Sequence, residues 1–444
     1  MRIRQIYLAL LCAWAAAASP GLHAQVQAQV QTPVSTPLPA AQAQAAERQV
    51  VSLQQALDAA RNNLDVALAR SNLAGAQADV LSANRAPLPV LSTGISNIDL
   101  QNGNGPGSIL ADRTLDKSIG IDWTWERGNK RALRTITAQQ AAAAAGADLQ
   151  EVLTQQQLAV YGAYFDLLAA QERLGHFQAL ERLAAQTAAS AKVRVTAGDL
   201  AVQDGLRTDI EAQRARSDLQ QAELDRQRAA LVLWQSSGLN LAPPTLAAKA
   251  DWPSAISTPV PDWTKVVEAR ADVRAASARV LSAQAALDNA KALKSNDITW
   301  GTTYNHFPGT SNALLGLRMQ MPLQWGYGFE GEIARATAQL VQAQDALEKT
   351  RRLATSELQR LQQETLNTTE RVQVYVNNIL PQAQRVAEGA ELAYSKGALS
   401  LTDLLDARRT LRATLLEALS ARTDFAKASG AWQLRLNPQE QSKP

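Results

Sequence analysis

The chain has 444 residues, with 44 Lys and Arg against 41 Asp and Glu, for a formal charge of +3. That length suits one large domain or two or three ordinary ones. So small a basic excess argues against a nucleic-acid partner, and the slightly negative mean hydropathy excludes a bundle of membrane-spanning helices.

The N-terminus reads as a secretory signal. Arg2 and Arg4 form the charged start, Ile6 to Ala18 the apolar stretch, and Pro20-Gly21-Leu22-His23-Ala24 a cleavage site after Ala24. The apolar stretch is too short for a stable transmembrane helix, and no other run of about 18 apolar residues occurs. Cys12 is the only cysteine. Leu10-Leu11 precede it and the apolar stretch continues beyond it, which argues against lipidation. Removal of residues 1–24 would leave a nearly neutral chain with no disulfide and no thiolate metal site. Residues 25–50, rich in Gln, Ala, Val and Pro without periodicity, read as a flexible extension.

A first repeat is expected over 51–237. Ser52 and Gln55 have the spacing of a capping box, and helix-favouring sequence runs to Arg85. Ala86-Pro87-Leu88-Pro89 stops it. Segments 90–100 and 115–126 read as strands around the turn-forming run Asn102-Gly103-Asn104-Gly105-Pro106-Gly107. Each has about the 9–11 residues a tilted strand needs to cross a bilayer. Their alternation is weak, as in barrel strands with a polar lumen. Trp123 and Trp125 fit either an interfacial aromatic girdle or ordinary packing. Leu153, Val160, Leu167 and Leu174, with Tyr164 beside them, then recur at coiled-coil spacing. A helix of about 65 residues would be about 100 Å long. Ala197-Gly198-Asp199 breaks it, and a second helix over 202–237 completes a hairpin whose tip is Gly198.

Residues 238–261 are a linker holding Pro243, Pro244, Pro253, Pro259 and Pro261. The pattern then returns over 262–437, before a tail at 438–444. A helix is expected over 262–294, strands over 297–305 and 314–323, and a turn over 306–312. A long helix follows over 330–395 with Leu358, Thr365, Val372, Ile379 and Val386 as its stripe. Gly397 breaks it, and a last helix spans 402–436. The halves overlay: Asp65-Val66 on Asp272-Val273, Gly94 on Gly301, Thr137-Ala138-Gln139 on Thr337-Ala338-Gln339, Gly198 on Gly397, Asp204 on Asp403. Offsets of roughly 200 residues mark a domain-sized duplication, not a solenoid.

Two strands per repeat give four per chain. Four antiparallel strands cannot close a barrel, and lipid tolerates no open sheet edge. Strands that enter a membrane must therefore share a barrel with other chains, and three chains would supply twelve.

The run from Tyr394-Ser395-Lys396-Gly397-Ala398-Leu399-Ser400-Leu401-Thr402-Asp403 to Leu404-Leu405-Asp406-Ala407-Arg408 resembles the second hairpin tip of the TolC family of outer-membrane factors. The resemblance covers essentially the whole mature chain. It implies a mainly α fold with a small β part, forming on trimerisation a 12-stranded outer-membrane β-barrel and a periplasmic α-helical barrel. It also implies a periplasmic membrane-fusion adaptor and an inner-membrane pump of the resistance–nodulation–division type as partners, with lipid around the barrel. Asp403 and Asp406, three apart, share a helix face. As rings in a trimer they would favour cations at the aperture; the plainer reading is a solvated face. The resemblance further implies a polar latch between Tyr394 and Asp204, with Tyr394 as simple interhelical packing the alternative. Gly198, Gly397, Leu399 and Ser400 are the expected adaptor-docking tips. Leu399 departs from members that carry an arginine there.

Trp123-Thr124-Trp125-Glu126-Arg127-Gly128-Asn129-Lys130-Arg131, and Met321-Pro322-Leu323 with Gly331-Glu332-Ile333, resemble the strand–helix junctions of the heavy-metal branch. They imply a cobalt–zinc–cadmium type efflux duct that conducts metal without holding it, with a drug-exporting duct, whose relatives share parts of these motifs, as the alternative. His176 and His306 lie far apart and read as surface or packing residues, so no metal site and no cofactor is expected. No phosphate loop, ligand cluster or nucleophile–base set suggests an enzyme. The alternatives are the duct of a type I secretion system, or a soluble periplasmic coiled-coil adaptor, which would leave the paired strands unexplained.

Overall fold

The computed structural model describes residues 49–106, 114–254, 262–308 and 311–436. The expected signal peptide, Cys12, nearly all of the N-terminal extension and the tail at 438–444 lie outside them. In chain order the first half comprises β1 (Gln49–Val51), α1 (Leu53–Ala60), α2 (Leu64–Ala83), β2 (Val90–Ser96), β3 (Asp116–Trp125), α3 (Lys130–Thr196) and α4 (Val202–Ser237). The second comprises β4 (Leu246–Ala248), α5 (Trp263–Ala269), α6 (Ala271–Ala292), β5 (Ile298–Phe307), β6 (Ser311–Gln320), α7 (Glu330–Val374), α8 (Leu380–Ser395) and α9 (Leu401–Leu436).

The duplication is visible in local detail. Ser52 Oγ accepts from the Gln55 amide and Gln55 Oε1 from the Ser52 amide, a closed capping box on α1. The helix expected to run on to Arg85 breaks instead at Asn63. Its side chain accepts from the Asp65 amide to start α2 and donates to the Ser236 carbonyl at 2.8 Å. Asparagine competes for backbone groups best outside a helix, and so favours the cap. The second half has the same break, at Arg270 between α5 and α6. Beyond each break the matched valines, Val66 and Val273, are fully buried.

At 67 residues, α3 is about 100 Å long at 1.5 Å per residue. Its stripe is buried at Val160, Leu167 and Leu174, with Tyr164 beside it. Around Val160, Tyr164 and Leu167, Ala56 and Ala60 of α1, Leu233 of α4, Leu246 of β4 and Ala426 of α9 close one core, while Leu174 packs with Phe177 and Ala222 in a cluster of its own. A second core forms where Val267, Val273, Leu358 and Leu361 meet Trp432. The first core is roofed by a two-stranded parallel sheet, β1 on β4, pairing Gln49 with Leu246. Tyr164 Oη donates to the Lys249 carbonyl beside it at 3.0 Å. Sequence patterning missed this sheet: its strands have three residues each, too few to show a period.

The stripe of the second long helix needs a correction. Leu358 and Thr365 are fully buried, but Ile379 and Val386 are exposed, and Ala383 and Ala387 are buried instead. The cause is a π-turn at Tyr375–Ile379, immediately before Pro381. Proline lacks the amide and its ring clashes with the carbonyl four residues back. One wider turn absorbs the misfit and inserts a residue, which rotates the buried face.

The other sheet has four antiparallel strands in the order β2-β3-β5-β6, so the two repeats meet at its centre. His306, expected in a turn, lies within β5, opposite Lys117 of β3. The last strand starts and ends three residues earlier than the expected 314–323.

Candidate functional site

The register sorts the sheet into two faces, since directly paired residues share a face and sequence neighbours do not. One face carries Leu91, Ile95, Ile119, Ile121, Trp123, Trp125, Trp300, Tyr304, Leu315, Leu317 and Met319, all exposed, Leu317 to 80%; Thr93 and Thr302 share this face, as do Lys117 and His306, paired toward one end of it. Trp123 stands directly opposite Trp300, and neither Trp123 nor Trp125 is packed inside the chain. The other face carries Ser92, Ser118, Asp122, Thr124, Thr299, Thr303, Asn305, Arg318 and Gln320, with Val90 and Leu314 as apolar exceptions. Gly94, Gly120, Gly301 and Gly316 all belong to this polar face. A Cβ at Gly120 would lie 2.8 Å from Thr303 Cγ2, and one at Gly94 2.8 Å from Ser118 Oγ. Crowding of this face therefore excludes side chains there. A surface this largely apolar is a solvent mismatch in water and a match for lipid, with the polar face turned to a lumen. No helix among the described residues is long and apolar enough to cross a membrane.

The junction between sheet and helices is built by the segment Glu126 to Arg134. Gly128 (φ 72°) and Asn129 (φ 56°) are left-handed, a conformation Gly and Asn reach at least cost. This bend turns Lys130 inward. Buried, its Nζ donates to the Ser295 carbonyl at 2.7 Å and to Asp297 Oδ1 at 2.9 Å, while the Arg127 amide donates to that same Oδ1. Arg131 donates to Asn84 Oδ1, and Arg134 pairs with Glu126 at 2.6 Å. Hydrogen bonding to Glu126 holds the Arg134 pKa up. In the second repeat Phe329 takes the left-handed place of Asn129 at φ 59°. The hydroxyl of Tyr327 donates to Glu332, which raises the phenol pKa and lowers that of the carboxyl.

Both hairpin tips are Schellman motifs. At the first, the Gly198 amide donates to the Val195 carbonyl and Asp199 to Arg194; at the second, Gly397 donates to Tyr394 and Ala398 to Ala393. Gly198 (φ 83°) and Gly397 (φ 74°) occupy the left-handed position that makes each turn possible. Ser400 then starts α9: its Oγ accepts from the Asp403 amide at 3.2 Å and donates to Asp403 Oδ2 at 2.7 Å. Asp403 and Asp406 are both exposed, while Leu401, Leu404 and Leu405 are buried. Asp406 also meets Arg409 at 3.3 Å.

The chain does not join Tyr394 to Asp204. Asp204 pairs with Arg207 at 3.5 Å, and half-buried Tyr394 packs against Leu401, Leu404 and Leu405. The hairpins are joined instead by ion pairs and hydrogen bonds from α9: Arg412 pairs with Asp218 of α4 at 2.8 Å, Arg422 and Lys427 with Glu172 and Asp166 of α3, and nearest the tip lies Arg408, which sequence reasoning quoted in the tip motif but gave no role. Its Nε donates to Glu391 of α8 at 3.2 Å and its Nη1 to Thr187 Oγ1 of α3 at 3.0 Å. Leu399 is half-buried beside exposed Gly397 and Ser400. His176 lies on α3 and His306 on β5, and among the described residues no group of three His, Cys, Asp or Glu could hold a metal ion.

No family model matches the chain. It is similar to the cobalt-zinc-cadmium resistance protein CzcC of Cupriavidus metallidurans, at 24% identity over 368 residues, 81% of this chain and 84% of that one. Among solved structures it is similar to CusC, with a TM-score of 0.75, 17% identity, and coverage of 86% of this chain and 91% of that one. It is also similar to the outer membrane protein VceC from Vibrio cholerae, with a TM-score of 0.70, 17% identity, and coverage of 86% and 95%. At such identities the structures speak for the fold, and the curated relative matches nearly the same length of chain. Fold and internal duplication agree: the chain shares the fold of CusC and of the outer membrane protein VceC.

Proposed function

We propose that the protein is the outer-membrane channel of a tripartite efflux system, passively conducting substrates from an inner-membrane pump and a periplasmic adaptor to the exterior. One observation carries this reading. A sheet apolar on one face and polar on the other is joined, through a pinned junction, to helices far longer than any globular core requires. Three protomers would close twelve strands into one barrel, and the helical hairpins would continue it as a periplasmic tunnel. CzcC is a cobalt-zinc-cadmium resistance protein, which supports heavy-metal cations as the cargo.

At the tunnel end, Asp403 and Asp406 would form two rings of carboxylates that favour cations. Their exposure, opposite the buried leucines of the same turns, supports this reading. A latch between Tyr394 and Asp204 requires both to leave their present partners, so we assign the link between hairpins nearest the tip to Arg408. Gly198, Gly397, Leu399 and Ser400 would meet the adaptor at the tips.

The test is reconstitution. A heat-modifiable trimer from outer-membrane fractions that conducts in planar bilayers is the expected result. Recovery as a soluble periplasmic protein without conductance would favour the coiled-coil adaptor instead. Conductance unchanged in Arg408→Gln, and also in Tyr394→Phe with Asp204→Ala, would remove both links from the gate.

A further inference from the structure

We propose that Asp122 and Arg318 form a charge-balanced belt that sets the ion selectivity of the barrel lumen; this rests on the channel reading above. Asp122 lies on β3 and Arg318 on β6, two strands that are not neighbours. Between them, on β5, stands Gly301, paired with both. Arg318 Nη2 reaches across it to Asp122 Oδ1 at 2.5 Å. A Cβ at Gly301 would overlap Asp122 Oδ1 and lie 3.3 Å from Arg318 Nε. The bridge thus exists because the intervening residue has no side chain.

Three features make this more than a surface ion pair. The rest of the polar face is Ser, Thr, Asn, Gln and Gly, apart from Val90, Leu314 and, toward the far ends of β3 and β5, Asp116 and Phe307. Asp122 and Arg318 are therefore the charges at mid-strand. Their placement also differs between repeats. Ser118 faces Gly94 in the first repeat, while Arg318 faces Gly301 in the second, so the bridge is an addition to the duplicated plan. Finally, an ion pair with one member open to solvent contributes little to stability, too little to explain two charges on an otherwise neutral wall. Three protomers would place three carboxylates and three guanidiniums at one level of the lumen, with no net charge. Removing either member would leave a ring of a single sign, and such rings select ions.

The test is the reversal potential of the reconstituted full-length channel in a potassium chloride gradient. It is measured in an Asp403→Asn, Asp406→Asn background, so that the aperture rings, which lie in series, do not mask the barrel. Arg318→Gln should move the potential toward that of potassium, Asp122→Asn toward that of chloride, and the double variant should return near the parent. Heat-modifiable trimer confirms assembly of each variant. If Arg318→Gln fails to assemble, Arg318→Lys should hold the parent potential while Asp122→Asn shifts it. Equal potentials in the parent and Asp122→Asn would overturn the belt. A parent that assembles but never conducts would instead sink the channel reading itself.

Discussion

The ring of Tyr161 on α3 occupies the space where Gly430 on α9 would carry a Cβ; an added methyl there would overlap the ring edge. The same ring sits 5.0 Å from Phe165, which in turn stacks on Trp252. Glycine inside a helix costs about 1 kcal/mol relative to alanine, so this one is explained by contact, not propensity. Gly430→Ala should destabilise the assembled protein by about 1–3 kcal/mol, the range for overpacking. Thermal melting in detergent measures it, and Tyr161→Leu in the same chain should recover part of the loss. A Gly430→Ala variant melting like the parent would refute the close packing.

Burial pushes the Tyr161 hydroxyl up to about 12, against a smaller lowering by its hydrogen bond to Ser429. An unfolded tyrosine titrates near 10. The folded state therefore keeps a proton that the unfolded chain releases, and stability falls as pH rises between those values. Below about pH 10 the contribution is intact. Denaturant midpoints from pH 9 to 12 should decline more steeply in the parent than in Tyr161→Phe. Parallel declines would place the titrating group elsewhere, with Tyr164, whose hydroxyl burial also raises, as the next candidate.

Lys130 connects the start of α3 to the end of α6 through Ser295 and Asp297. Its removal would leave a partly buried carboxylate short of its cation, a loss of about 3 kcal/mol. Lys130→Met should reduce the yield of trimer in outer membranes, and Asp297→Asn should be milder, because an amide oxygen still accepts from Lys130. Equal trimer yields in parent and Lys130→Met would show that the junction holds without it.

Ser400 caps α9 and holds Asp403 at the same time. Ser400→Ala should cost about 1 kcal/mol locally, read as faster hydrogen exchange at the first amides of α9. It should also weaken cation preference in bilayers less than Asp403→Asn does, since the carboxylate remains. If Ser400→Ala abolishes cation preference outright, the charge ring acts through the cap rather than directly.

Long elements were legible because periodicity accumulates over many residues. Val160, Leu167 and Leu174 announce α3, and Gly198 and Gly397 announce its tip and the matching one. What escaped depends on single residues. The break at Asn63 turns on one side chain choosing a cap, and the rotated stripe beyond Ile379 on one inserted residue before Pro381. Asp122 and Arg318 were visible as charges in expected strands, yet nothing in one dimension says that β3 and β6 flank Gly301. The tip residues were found by motif; the link at Arg408 needed three helices in space.

Among the described residues, β2 and β6 each keep one flank without a ladder partner. Such edges are adhesive, and here they adjoin an apolar face. A single protomer therefore carries an unfinished surface that any passing strand could complete. In the proposed trimer, folding and association become one reaction, so the stability of the finished molecule would depend on protomer concentration. Dilution, or delay before meeting its own kind, is the hazard this architecture must outrun.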